Sequence, residues 1–185
     1  MKIKGNQVCE LKFSNHIEVL KPLLFVTLGV ICIVLYFEHR DGFSVSLLSF
    51  FLIFFAISAL PVLYFHVEYY FFNRNERIII DTVDKKIICT SRNNKIEFKF
   101  EEIDEVKVYM FPNMYSGRIQ IVPCEPYHYG VISTKSGKNI ILSCLMTKDV
   151  FKTALHIKDV PVEKRKTIPS IPLNRWLTNY QKKFK

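Results

Sequence analysis

Charged side chains are absent from two long stretches in the first third of this chain, Pro22 to Phe37 and Phe43 to Phe65. A helix needs about 20 mainly apolar residues to cross the hydrocarbon core of a bilayer. The second stretch has this length, and the first attains it with the apolar residues that precede Lys21. A lone hairpin has no closed barrel in which strands would satisfy their backbone groups in lipid. We therefore predict an integral membrane protein with two helical spans, at about residues 17–37 and 43–65.

Cysteine is sparse, with five residues in a chain of 185. An odd number at wide spacing, partly inside the spans, fits no disulfide framework, so reduced and buried thiols are expected. Cys124 and His128 form the only close Cys/His pair, whereas a zinc site normally needs two further ligands at recognisable spacing. No metal site is predicted from these residues.

Sequence motifs that carry catalysis or phosphate binding are also missing. Ser116-Gly117 and Ser136-Gly137 lack the flanking pattern of a phosphate-cradling loop or a nucleophile elbow. The acidic run from Glu101 to Glu105 offers carboxylates, but strand alternation would send neighbouring side chains to opposite faces. We therefore predict no catalytic residue, no metal, no cofactor and no enzymatic activity. A membrane-bound enzyme remains an alternative, in which a single polar substitution would abolish activity.

Basic residues flank the two spans but almost avoid the link between them. Lysines precede the first span, Arg40 alone lies in the link, and Arg74, Arg77, Lys85 and Lys86 follow the second span. Because cytoplasmic segments carry the excess of Lys and Arg, both termini are predicted to lie in the cytoplasm.

Alternating apolar residues after the second span predict a β domain over residues 66–157, between an N-terminal unit of residues 1–65 and a basic tail of residues 158–185. The clearest alternation places Ile96, Phe98 and Phe100 on one face, and Ile103, Val106 and Val108 are expected to face the same core. A helix capped by Thr147 should follow the strands. The expected strands are Glu76 to Val83, Lys86 to Thr90, Lys95 to Phe100, Ile103 to Met110, Arg118 to Val122, Tyr129 to Thr134 and Asn139 to Leu145.

The segment Phe100-Glu101-Glu102-Ile103-Asp104-Glu105-Val106-Lys107-Val108 resembles a motif of the pleckstrin-homology-like fold in small bacterial membrane proteins. The late strand pair, Gly130 to Ser133 and Ile140 to Ser143, followed by the Thr147 helix, is a second similarity. The resemblance implies an α+β protein of the bacterial inner membrane. Its two-helix transmembrane hairpin would precede an antiparallel PH-like β-barrel or sandwich with a C-terminal helix. A fold does not by itself fix an activity.

The chain has a formal net charge of +9, and its basic residues are concentrated in the tail from Lys158 to Lys185. Apolar residues there recur at helical spacing around the only Trp, which predicts an amphipathic basic helix. Such a helix can lie among lipid headgroups or pack on the β domain, and both interpretations stay open. The predicted membrane or lipid contacts are Lys21, Lys164, Arg165, Lys166, Arg175, Trp176, Lys182 and Lys183.

These features predict a non-enzymatic, membrane-anchored binding module, whose β domain is a platform for a protein or lipid partner. A structural or regulatory subunit, or an immunity or accessory factor, of a membrane assembly is the alternative. The bilayer, a membrane-associated protein or a second copy are the expected partners, and nucleic acid and small-molecule cofactors are not. The loop residues predicted to contact a protein partner are Tyr115, Arg118, Glu125, Tyr127 and His128.

Overall fold

The computed structural model describes residues 6–41, 45–92 and 94–171. These ranges contain one strand, then two long helices, then the other seven strands of two four-stranded sheets, with two short α-helices and a 3₁₀ turn (Phe100–Glu102) among them. The elements are β1 (Asn6–Cys9), α1 (Phe13–Asp41), α2 (Val45–Asn73), β2 (Glu76–Asp81), β3 (Lys86–Ser91), β4 (Asn94–Lys99), β5 (Ile103–Met110), α3 (Pro112–Tyr115), β6 (His128–Thr134), β7 (Asn139–Ser143), α4 (Val150–Ala154) and β8 (Val162–Lys166).

Both long helices are apolar and long enough to cross a membrane, and most of their side chains are exposed. Each helix extends beyond its charge-free stretch on the side of the β domain. α1 already begins at Phe13, and α2 continues through Pro61 to Asn73. In these additional helical turns, the side chains that face the β domain are buried, whereas most side chains of the charge-free stretches are exposed.

The first sheet has the order β1-β2-β3-β4, and the second has the order β7-β6-β5-β8. All pairings are antiparallel except that of β8, which lies parallel to β5. Among the described residues, no strand pairing joins the two sheets, so the domain is a sandwich rather than a closed barrel. The predicted α+β class, with two long helices and a β-sandwich, is confirmed.

The core between the two sheets confirms the predicted alternation. Phe98 and Phe100 are buried, as are Ile103, Val106 and Val108. Ile103 and Val106 are three positions apart and still share a face, because the register of β5 against β6 shifts between Ile103 and Glu105. A β-bulge of this kind places one extra residue in a strand and so restores the inward orientation.

Three local predictions were wrong. The segment from Arg118 to Val122 forms no strand and belongs to an exposed loop. The short helix α4 begins after Asp149, whose carboxylate accepts a hydrogen bond from the backbone N–H of Lys152 at 2.9 Å, so Thr147 is not its cap. Sequence reasoning also missed β1 and β8, which add an edge strand to each sheet.

A second core joins the helices to the outer face of the second sheet. Val62, Phe65 and Tyr69 of α2 are buried there together with Tyr129 of β6 and Ile141 of β7. We call this contact the neck. Because the apolar face of α2 runs from the charge-free stretch directly into the neck, the β domain is packed against the helix hairpin and is not connected to it by a linker.

Candidate functional site

Aromatic rings fill the neck. The ring of Tyr69 lies edge-on to Tyr127 at a centroid distance of 5.6 Å and to Tyr129 at 6.0 Å. Phe65, the last residue of the second charge-free stretch, stacks on Tyr127 at 5.8 Å and meets Phe111 at 5.6 Å. Such ring pairs contribute about 0.5–1.5 kcal/mol each beyond burial of their area. The end of the apolar stretch is therefore fixed against the β domain.

A chain of polar side chains crosses the neck beside these rings. His16 Nδ1 of α1 lies 3.0 Å from His66 Nε2 of α2, and His66 Nδ1 lies 2.9 Å from the hydroxyl oxygen of Tyr127. Both helices and Tyr127, the residue before β6, thus share one hydrogen-bonded chain. Each bond constrains the orientation of a ring, so the chain adds polar contacts between the helices and the β domain.

Residues 167–171 lie along α2 after leaving β8. The Tyr69 hydroxyl donates to the carbonyl oxygen of Pro169 at 2.6 Å, and the Ser170 hydroxyl donates to Glu68 Oε2 at 3.2 Å. The backbone N–H of Ile171 donates to Glu68 Oε1. Glu68 is buried but accepts both bonds, as a buried carboxylate requires. The chain therefore reaches its last described residue while held against α2.

The β5–β6 loop, residues 111–127, is organised by the buried carboxylate of Glu125. Glu125 Oε2 accepts the backbone N–H groups of Ile121 at 2.6 Å and of Val122 at 3.2 Å, and Oε1 accepts the side-chain amide of Asn113 at 2.7 Å. Three bonds to one charged group define the backbone of the loop. The aliphatic side chains of the same stretch nevertheless point outward.

The residues predicted to contact a protein partner divide into two groups. Tyr115 and Arg118 are exposed on the β5–β6 loop, whereas Glu125, Tyr127 and His128 are buried. The buried three support the loop and the neck through their hydrogen bonds, so only the first two are accessible. Contact with a partner remains a prediction for that exposed pair.

His128 connects the end of the loop with α4. Its Nδ1 lies 2.7 Å from the carbonyl oxygen of Pro126, and its Nε2 accepts the backbone N–H of Val150 at 3.3 Å. This pattern requires a neutral ring protonated at Nδ1. Burial lowers the pKa of His128, although the bond to Pro126 and the charge of Asp149 oppose this change.

The predicted lipid-contacting cations occupy different parts of the described chain. Lys21 pairs with Glu18 at 2.8 Å, at the start of the first charge-free stretch. Lys164, Arg165 and Lys166 lie on the edge strand β8, where Lys164 Nζ is 4.0 Å from the centroid of the Phe151 ring. The predicted tail contacts Arg175, Trp176, Lys182 and Lys183 lie outside the described residues.

A cleft of about 520 Å³ separates the start of α1 from the first sheet. Lys12, Lys148 and His156 line it, together with the amide of Asn15. The Asn15 amide donates to the carbonyl oxygen of Leu145 at 3.1 Å, so part of the lining is already used in packing. Lys12 and Lys148 place positive charge in the lining, and Lys148 also pairs with Glu18 at 3.1 Å.

The expectation of buried thiols holds for Cys9, Cys124 and Cys144, whereas Cys89 is partly buried and Cys32 is exposed. Burial raises the pKa of Cys9 to about 11, and burial raises that of Cys89 and of Cys144 to about 12. A nucleophilic thiol requires the opposite shift. Within residues 6–41, 45–92 and 94–171, no group of three or more His, Cys, Asp or Glu side chains is placed to hold a metal ion.

Comparison with known proteins gives one family. A family model described as a PH domain matches residues 9–153, which include α1, α2 and the strands from β2 to β7. No curated protein and no solved structure matches the chain. The match covers more than half of the sequence and includes both long helices as well as the sandwich. The chain therefore belongs to the PH domain family.

Proposed function

We propose that this protein is a non-enzymatic binding module anchored in a membrane by α1 and α2, with the PH domain acting as a platform at the membrane surface. The neck is the observation that carries the proposal. A domain that binds soluble ligands needs no fixed orientation to a membrane, whereas the neck fixes the domain against helices that are long and apolar enough to span one. Membership in a family of binding modules supports the same function.

The proposed location is the cytoplasmic side of a bacterial inner membrane, with both termini in the cytoplasm. The distribution of Lys and Arg supports this orientation. Lys21 lies between Leu20 and Leu23, which pack on the neck, and Lys166 pairs with Met110 beside Phe111. Cations near an anionic surface contribute about 1 kcal/mol each. A lipid surface is therefore one proposed partner of the platform.

The proposed protein partner is one that also lies at the membrane, because packing at the neck limits how far the domain can reach. A second candidate is a subunit of a larger membrane assembly. Gly29 favours it, since no atom other than the backbone of its own helix and its chain neighbours lies within 4 Å of the position that a Cβ would occupy there. Small residues on an open helix face allow close approach of another helix. The hydroxyls of Thr27 and Ser58 bond to carbonyl oxygens of their own helices and need no such partner.

Cross-linking of the full-length protein in its native membrane, followed by mass spectrometry, tests the proposal. A parallel sample lacks residues 173–185. One dominant protein partner retained without the tail supports the platform function. Cross-links to another protein that are confined to the two spans support the second candidate, a subunit of a larger membrane assembly. Contacts only with lipid and with itself, together with loosening of the domain after the deletion, exclude a dedicated protein partner and favour a lipid-contacting anchor.

Resistance of the protein to alkaline carbonate extraction tests the anchor separately. Protease added to the outside of spheroplasts should leave the β domain intact, whereas protease added to inverted vesicles should cleave it. Extraction by carbonate contradicts the proposed anchor, and cleavage in spheroplasts contradicts the proposed orientation.

A further inference from the structure

The β5–β6 loop exposes aliphatic side chains to an unusual degree. Ile119 is 86% exposed and Ile121 is 80% exposed, and Val122 of the same loop is also exposed. Three exposed aliphatic residues thus lie within four positions of the loop. Exposed aliphatic residues are common when they occur singly, but a contiguous patch marks an interaction surface.

This apolar patch is not a consequence of a loosely ordered loop. The carboxylate of Glu125 is buried and binds the backbone of both Ile121 and Val122. Their N–H groups donate to this carboxylate on the inner side of the loop, so their side chains are directed to its outer side. The loop thus presents apolar side chains from a fixed backbone, at the cost of burying a charge.

The loop lies where both charge-free stretches reach the β domain. Lys21 and Pro22, at the start of the first stretch, share the lining of a cleft of about 330 Å³ with Met114 and Gln120 of the loop. Phe111, at the start of the loop, meets Phe65, the last residue of the second stretch. In an antiparallel helix pair these two positions mark the same edge of the apolar zone.

A second segment near the same edge carries a similar feature. Ile168 is exposed in the 167–171 segment, which is bound to α2 near the same edge through Tyr64, whose hydroxyl lies 3.3 Å from that of Ser170. Exposed aliphatic residues therefore occur on two independent segments, both beside the ends of the charge-free stretches. Arg118 and Lys21 accompany them as exposed cations.

We propose that the β5–β6 loop inserts Ile119, Ile121 and Val122 into the interfacial region of the bilayer. Arg118 lies beside the patch, at a position suited to phosphate groups of the lipids. The occupant is lipid rather than a protein because the loop that carries the patch lies at the edge of the apolar zone, where Gln120 lines a cleft with Pro22 and Phe111 meets Phe65. Amphipathic surfaces of this composition bury their apolar side among headgroups and acyl chains while the cations remain at the phosphates. This inference rests on the proposed membrane anchor.

An environment-sensitive fluorophore at single cysteines tests the insertion. Ile121→Cys and, as a matched control, Val83→Cys are made in the full chain with Cys32→Ser. Val83 is an aliphatic residue of the β2–β3 turn that is 70% exposed. Its neighbour Thr82 lines the cleft at the start of α1 together with Asn15. Asn15 precedes Pro22 by about two helical turns, or about 10 Å along the helix axis, so Val83 lies away from the edge of the apolar zone. The other native thiols are buried or have a raised pKa, and the Cys32→Ser protein measures their background labelling.

The labelled proteins are reconstituted in vesicles of phosphatidylcholine and phosphatidylglycerol, with or without brominated lipid. Insertion predicts a blue shift and a loss of emission with brominated lipid at position 121, and neither change at position 83. Equal, unquenched emission at both positions in carbonate-resistant protein overturns the insertion and leaves the anchor intact. A blue shift at position 121 without quenching by brominated lipid assigns the patch to a protein contact and also overturns it. Extraction of the protein by carbonate would contradict the proposed membrane anchor, and with it the insertion.

Discussion

The Tyr69 hydroxyl provides a specific test of the neck. Tyr69→Phe keeps the buried ring and its contacts with Tyr127 and Tyr129 but removes the donor to the carbonyl oxygen of Pro169, 2.6 Å away. The Pro169 carbonyl then loses a partner in a buried environment. The 167–171 segment should be held less firmly against α2, and the protein should unfold at a lower temperature.

The expected size follows from the hydrogen bond alone. Leaving one buried acceptor unsatisfied costs about 1–3 kcal/mol. For a chain of this length, 1 kcal/mol corresponds to about 2–4 °C in Tm, so we expect a decrease of about 2–12 °C. Tyr69→Ala also removes the ring, and substitution of a buried aromatic residue by alanine costs about 3–5 kcal/mol.

Thermal unfolding in detergent, followed by circular dichroism, measures the effect. Tyr70→Phe is the matched control, because Tyr70 is the next residue of α2 and is exposed. Its substitution should change stability by no more than about 0.5 kcal/mol. Equal Tm values for the two phenylalanine variants would refute the inference that the 167–171 segment is fixed to α2 through Tyr69.

Three further predictions concern the β domain. Because burial lowers the pKa of His128 below its ordinary value of 6.5, the unfolded chain takes up a proton first on acidification, and stability should fall below about pH 6.5. His128→Gln should reduce the difference in Tm between about pH 7.5 and about pH 5.5. Gly130→Ala should lower the free energy of unfolding by about 1–3 kcal/mol, since its Cβ would lie 2.8 Å from Val150 Cγ1. In denaturant unfolding, the double variant with Val150→Ala should lose less stability than the sum of the two single losses. Glu125→Gln should accelerate tryptic cleavage after Arg118, because the amide binds the two loop N–H groups less strongly than the carboxylate does; an unchanged rate would contradict the role given to Glu125.

Local patterning was sufficient to predict the sandwich core. Period-two alternation identifies inward side chains without knowledge of the partner strand, which is why Phe98 and Val108 were predicted to be buried. Strands without that alternation were missed. β8 reads Val-Glu-Lys-Arg-Lys, and its place at the edge of a sheet depends on backbone pairing with β5 rather than on apolar side chains.

The neck could not be predicted from periodicity in α2, because that helix is apolar on nearly every side. A stretch of this composition gives no indication of which face meets lipid and which meets protein. Glu68 and His66 are the signals that were available, since polar side chains so close to an apolar stretch require partners. Their partners Ser170 and Tyr127 are distant in sequence, so only the fold brings them together.

The position of the 167–171 segment affects the two interpretations of the basic tail. Ile171 is bound to Glu68 of α2, and the neighbouring Ser170 lies against Tyr64 in the second charge-free stretch. The sequence that follows therefore starts beside the end of the apolar zone rather than at the far side of the sandwich. A basic amphipathic segment that starts there needs little chain length to contact headgroups. The lipid contact predicted for Arg175 and Trp176 stays a prediction, and deletion of residues 173–185 tests it against packing of the tail on the β domain.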